Sequence, residues 1–234
     1  MKPRLIFLHG FLGCPEDWTE VKAGLSEEFE TAAHGTDRCG IIGYSMGGRL
    51  ALQLLLRHPE RFWGGVIISA SPGLRTDEER VLRREHDENL AKQLEDNGLD
   101  AFLAEWYEQP LFASFKRAPG FSEALARRKQ GPLSNYARQL RELGLGMQPS
   151  LWEELQSISV PLQFVCGELD HKFAGLAAQM HAQCPSSELV VLPRCGHVVH
   201  IEDPSALVRV MLPFLLECWR TSRDRDQLDN SQRI

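Results

Sequence analysis

The residues best placed to do chemistry are a serine, a histidine and two acids that stand at or just past the ends of apolar runs. Ser45 sits in "IIGYSMGGRL" (41–50), directly after the apolar "IIGY" and between Gly43 and Gly47. Glycine two before and two after a serine, with a strand before and a helix after, is the pattern of a nucleophile elbow. There the serine holds a strained backbone conformation, and small neighbours avoid side-chain clashes. A helix that begins at the elbow has free N–H groups, so the backbone N–H of Met46 can stabilise an oxyanion. A second donor is expected from Phe11, in the loop after "LIFLHG".

A serine hydroxyl needs a base, and the base needs an orienting carboxylate. "FVCGELDHKF" puts Asp170 just past one apolar run, and "VVLPRCGHVVH" puts His197 just past the next. Glu168 is the rival acid, but Asp170 lies two residues further out and suits a loop better. His200 is the rival base and is read as a structural neighbour. Gly196 permits the tight turn that would project His197. His9 is read as a hydrogen-bonding residue that orders the oxyanion loop.

These residues need a scaffold that brings strand ends together. The apolar runs "LIFLHG", "CGIIGYS", "WGGVIISASPG", "PLQFVCGELD" and "SELVVLPRCGH" read as buried strands. Helical apolar spacing falls at 17–28, 47–58 and 204–219. Strands alternating with helices imply a parallel α/β sheet covered on both faces. The expected core is 1–75 with 158–220, and the stretch 76–157, helical in pattern, reads as an inserted cap over one end of the sheet. The polar tail 221–234 has little to pack and is expected to fray.

One join conflicts with this plan. "FETAA" (29–33) reads as a strand, yet only 34–38 separate it from the strand at Cys39, too few for a parallel crossover of a dozen residues. Either "FETAA" is not a strand or a piece of the natural chain is absent here. The second reading is preferred, and it predicts an oversized Cα–Cα step between Ala33 and Arg38, where a trans peptide allows ~3.8 Å.

Composition narrows the function. The 234 residues carry a net charge of −6 with 43% hydrophobic and 25% charged residues, as in ordinary globular domains. That charge argues against a general nucleic-acid or anionic-membrane role. No apolar run approaches the roughly 20 residues that span a bilayer. The six cysteines show neither C-x-x-C nor zinc spacing, which suggests reduced thiols in a cytoplasmic protein with no metal. A monomer or weak homo-oligomer is expected.

"LHGF", "GYSMGGR", "CGELDHKF" and "PRCGH" together resemble the α/β-hydrolase superfamily. In and just before the helical block, "SPGL", "RVLRREHD", "WYEQPLFAS" and "GMQPSLWEEL" look like the family of 2-succinyl-6-hydroxy-2,4-cyclohexadiene-1-carboxylate synthases of menaquinone biosynthesis. The resemblance implies an α/β-hydrolase fold and a lyase without a cofactor. Its substrate would be a small anionic metabolite from which pyruvate is eliminated, with Ser45, Asp170 and His197 acting as a base. It also implies that Arg49, Arg83 and Arg128 bind substrate carboxylates, for which guanidinium forks are suited. Tyr44, Trp106 and Phe112 would line the pocket. Arg84 and Arg127 are the register alternatives to their neighbours. A serine esterase or carbon–carbon bond hydrolase with the same triad is the main rival, and a receptor that keeps only the pocket is a third reading.

Overall fold

The computed structural model describes residues 2–31 and 38–231. In chain order the elements are β1 (Arg4–Leu8), α1 (Thr19–Leu25), β2 (Glu30–Thr31), β3 (Cys39–Tyr44), α2 (Met46–Arg57) and β4 (Phe62–Ile68). The helices α3 (Asp77–Asn97), α4 (Leu99–Trp106), α5 (Phe121–Lys129) and α6 (Leu133–Leu143) follow. Then come β5 (Leu162–Gly167), α7 (His171–Gln183), β6 (Ser187–Leu192), α8 (Val199–Glu202) and α9 (Pro204–Ser231). A 3-10 turn at Pro15–Trp18 leads into α1, so the helix expected over 17–28 is shorter and begins as a different kind of turn.

The six strands form one sheet in the order β2-β1-β3-β4-β5-β6, and every neighbouring pair is parallel. All residues of β4 and β5 are buried, which is why those segments, Gln163 apart, are apolar without alternation. Successive side chains go to opposite layers, as the pleat requires. Ile41, Ile67 and Phe164 pack with Leu52 and Leu55 of α2 and Met180 of α7. Ile42, Ile68 and Val165 pack with Val21 of α1 and Met211 of α9 on the other side. Between β4 and β5 the chain forms helices and turns, with no strand among the described residues.

The order reverses direction at β1, which has β2 on one side and β3 on the other. Ligands of open parallel sheets bind outside the carboxyl ends of the strands at such a switch point. The loop after β1 and the elbow after β3 are therefore neighbours by topology.

One expectation needs correction and another lies beyond the described residues. The tail does not fray where predicted: α9 continues through 221–231, and Ser222 is only 5% exposed. That stretch has no Gly or Pro, so a helix already nucleated upstream propagates at little cost even without an apolar face. Glu30 and Thr31 pair with Arg4 and Leu5, and Leu5 also faces Gly40. The step predicted between Ala33 and Arg38 falls on 32–37, outside the described residues. Among the described residues no helix is long and apolar enough to cross a membrane.

Candidate active site

Ser45 joins β3 to α2 with φ 50° and ψ −111°, a conformation that L-residues other than glycine seldom adopt. Its N–H donates to the Ile68 carbonyl at 2.9 Å, which ties the elbow to β4. The flanking glycines are sterically required. A Cβ on Gly43 would lie 2.5 Å from the Gly47 carbonyl oxygen, and one on Gly47 would overlap the Leu8 carbonyl. The backbone of α2 can therefore press against β3 and β1 only while both side chains are absent.

Asp170 follows β5 and caps α7, where one carboxylate oxygen accepts from the Phe173 N–H at 3.3 Å. Its other oxygen accepts from His197 Nδ1–H at 2.6 Å. Ser45 Oγ–H in turn donates to His197 Nε2 at 3.2 Å. Asp170 and His197 are buried, and the imidazole lies against the rings of Phe173 (4.5 Å) and Tyr44 (5.3 Å). This is the serine–base–acid relay, with the carboxylate pinned on both oxygens before it orients the ring.

The rival residues are engaged elsewhere. Glu168 accepts from the Arg194 N–H at 3.0 Å. His200 is packed between Trp18 and Tyr44 with neither ring nitrogen hydrogen-bonded, and burial pushes it down to about 3. It is neutral at ordinary pH and makes no hydrogen bond to Ser45. His9 Nδ1 lies 2.9 Å from the Gly10 carbonyl, inside the loop that it was expected to order.

The oxyanion loop is a tight turn closed by Gly13 N–H to Gly10 O at 3.1 Å, with buried Leu12 at φ 63°. Strain of this kind concentrates where a backbone must present specific groups. Phe11, within this turn, and Met46, which opens α2 with its N–H free of intrahelical partners, both line the cavity above Ser45.

That cavity measures about 480 Å³ and has Ser45 and His197 in its wall. Tyr44, Trp106 and Phe112 are also in the wall, and the Phe112 ring lies 6.1 Å from His197. Arg49, Arg83 and Arg128 line it, whereas Arg84 and Arg127 do not. Arg84 donates to the Gly146 carbonyl, and Arg127 pairs with Glu123 and Asp17.

The three cavity arginines are held differently. Arg49 donates to Gln148 Oε1 at 3.1 Å and the Leu143 carbonyl at 2.8 Å. Burial first, and then the Arg83 guanidinium, push its pKa down to about 10. Arg83 donates through Nε alone to Asp87 Oδ1 at 2.8 Å. Arg128 places its two terminal nitrogens on Asp17, at 3.1 and 2.8 Å, and its buried Nε is unbonded. Burial raises the Asp17 pKa, but the Arg128 charge and hydrogen bonds more than reverse this, so Asp17 is held below its ordinary range.

Sequence reading missed both carboxylate partners. Asp87 stands four residues after Arg83 on one helix, a spacing that signals such a pair. Asp17 is 111 residues from Arg128, and no local pattern connects them.

Residues 8–210 match the Alpha/beta hydrolase family. The chain is 30% identical to 2-succinyl-6-hydroxy-2,4-cyclohexadiene-1-carboxylate synthase of Escherichia coli O1:K1 / APEC, covering 91% of this chain and 94% of that one. It is 31% identical to Protein PHYLLO, chloroplastic, of Arabidopsis thaliana, covering 94% of this chain but only 16% of that much longer protein. Both alignments, 242 and 269 residues long, exceed this chain, so these relatives carry residues within the matched span that have no counterpart here. Among solved structures, MenH from S. aureus superposes with a TM-score of 0.87 at 27% identity, covering 93% of this chain and 94% of that one. With its strained Ser45 elbow, its relay to His197 and Asp170 and these relatives, the chain belongs to the alpha/beta hydrolase family.

Proposed function

We propose that this protein is a lyase that eliminates pyruvate from 2-succinyl-5-enolpyruvyl-6-hydroxy-3-cyclohexene-1-carboxylate, giving 2-succinyl-6-hydroxy-2,4-cyclohexadiene-1-carboxylate. The observation that carries the reading is one cavity in which the triad faces three arginines, one of which, Arg83, is held by Asp87 through Nε alone and so presents its terminal fork. A hydrolase of neutral esters has no use for converging guanidinium groups, whereas a substrate with several carboxylates does. The name of the Escherichia coli relative supports the same product.

The chemistry follows from the groups in place. His197 Nε2 takes the Ser45 hydroxyl proton, and Asp170 stabilises the imidazolium through Nδ1. Ser45 Oγ then removes the proton from ring carbon 2, next to the succinyl ketone. The electron pair develops onto the ketone oxygen, where the N–H groups of Phe11 and Met46 stabilise it. The enolate collapses to a 2,3 double bond, the 3,4 double bond moves to 4,5, and the bond from carbon 5 to the enolpyruvyl oxygen breaks. Enolpyruvate takes up a proton and becomes pyruvate. The helical segment 76–157 acts as a cap that supplies Arg83 and Arg128 and screens this site from water. We place the protein in the cytoplasm, which is supported by six cysteines that are all free.

The test is pyruvate release from the enolpyruvyl substrate by purified protein. Release that is lost in Ser45→Ala is the expected result. Turnover of simple acyl esters without any pyruvate would overturn the lyase reading in favour of a serine hydrolase.

A further inference from the structure

The Asp170 carboxylate accounts for the orientation of the His197 ring but not for the position of its backbone. His197 stands on a loop between β6 and α8, in which Arg194 has φ 62°. The two N–H groups on either side of it converge on one side chain. Gly196 N–H donates to Glu202 Oε2 at 2.8 Å, and Val198 N–H donates to Glu202 Oε1 at 3.0 Å. Charge-assisted bonds of this kind are short and strong, and here both oxygens of one carboxylate are used.

Glu202 is well supported in turn. It closes the short helix α8, whose N-cap is Val198, so its side chain reaches back over one turn to the N-cap N–H, as in a capping box. The loop has no room beside it: a Cβ on Gly196 would run into Ser114 Oγ of the helical insert and lie 3.3 Å from Glu202 Oε1. Glu202 itself does not line the cavity.

We propose that Glu202 is the positioning residue of the catalytic base, a carboxylate clamp on the backbone that sets the reach of His197 Nε2 to Ser45 Oγ. The inference rests on the reading of His197 as the base. Glutamine at 202 is isosteric but has one acceptor oxygen, and its NH2 would oppose one of the two N–H groups. Alanine removes both bonds.

The experiment compares wild type, Glu202→Gln and Glu202→Ala by two readouts. One is pyruvate release across pH. The other is the rate at which Ser45 is phosphonylated by a fluorophosphonate, which reports serine activation whatever the natural substrate. The expected result is a fall of 10- to 100-fold in kcat and in the labelling rate, Gln lying between wild type and Ala. KM should stay within twofold and the pH midpoint of labelling should move. Labelling and pH profiles that match wild type in a folded Glu202→Gln protein would overturn the clamp. A uniform loss of binding and activity with an unmoved pH midpoint would also overturn it, because the glutamate would then be merely structural. Wild-type protein that neither labels nor releases pyruvate would instead break the reading of the triad on which the clamp rests.

Discussion

Arg83 and Arg128 reach the same cavity and each has a buried carboxylate partner, yet the two pairs are built in opposite ways. Asp87 takes Arg83 by Nε, which leaves the terminal fork uncommitted among the described residues, and the side chain is 33% exposed. Asp17 takes the fork of Arg128 itself, and that side chain is 5% exposed. One carboxylate aims a guanidinium at the cavity; the other immobilises one. The lesson concerns what counts as a binding residue. Position in the wall does not decide it, since both arginines line the cavity. What decides it is which N–H groups remain after the protein has used its own.

The sharpest way to break this comparison is to remove the carboxylates. Asp17→Asn leaves the buried Arg128 charge without its counter-ion, and breaking a buried pair costs about 3–5 kcal/mol. Asp87→Asn leaves a guanidinium that is partly in water, with an expected cost of about 1 kcal/mol. Urea denaturation of the two variants beside wild type measures the contrast. Equal losses would show that the two poles are equally dry and that the distinction fails.

Activity should respond in the opposite sense. Arg83→Ala removes a fork free to hold a substrate carboxylate, worth about 1.5–3 kcal/mol in kcat/KM, while the melting temperature changes little. Wild-type kinetics in that variant would make Arg83 an ordinary helix surface residue.

The dryness of the Asp17 side has its own reporter in His200, packed against Trp18. Its folded value of about 3 lies below the ordinary 6.5. Below pH 6.5 the unfolded chain takes up a proton that the folded protein refuses, so acid favours unfolding until the pH approaches 3. Relative to His200→Phe, wild type should lose about 1.4 kcal/mol of stability per pH unit between pH 6 and 4. Parallel stability curves would mean that His200 takes up a proton in the folded state.

How far the sequence reveals this site depends on the range of each interaction. Gly43, Ser45 and Gly47 are legible because an elbow is a local steric problem with a local solution. Asp170 and His197 are legible because each stands just past an apolar strand, so strand ends alone predict that they meet. The relations that differ between the two poles are mostly non-local. Asp17 reads as an acid at the start of a helix, and nothing near it reports that Arg128 will fold over it. The shortness of β2 is equally hidden, since "FETAA" has strand-like residues throughout but only Glu30 and Thr31 pair among those described. The tail departs from its composition for another reason: lack of apolar residues removes packing, but it does not end a helix that is already under way.

Arg127 provides the smallest test and the finest one. It also bonds Asp17, through Nε and a terminal nitrogen at 3.2 and 3.0 Å, but its side chain is 21% exposed and it holds Glu123 as well. Solvent screens such a pair, so Arg127→Ala should cost only about 0.2–1 kcal/mol. Asp17 keeps its bonds to Arg128 in that variant, so pyruvate release should be unchanged. Arg128→Ala should lower both stability and turnover, because it removes the strut and a wall of the cavity together. The two arginines are adjacent in sequence and share one acceptor, which makes them a close control for burial alone. If Arg127→Ala costs as much as Arg128→Ala, the Asp17 cluster acts as a single network and no one arginine in it can be called the strut.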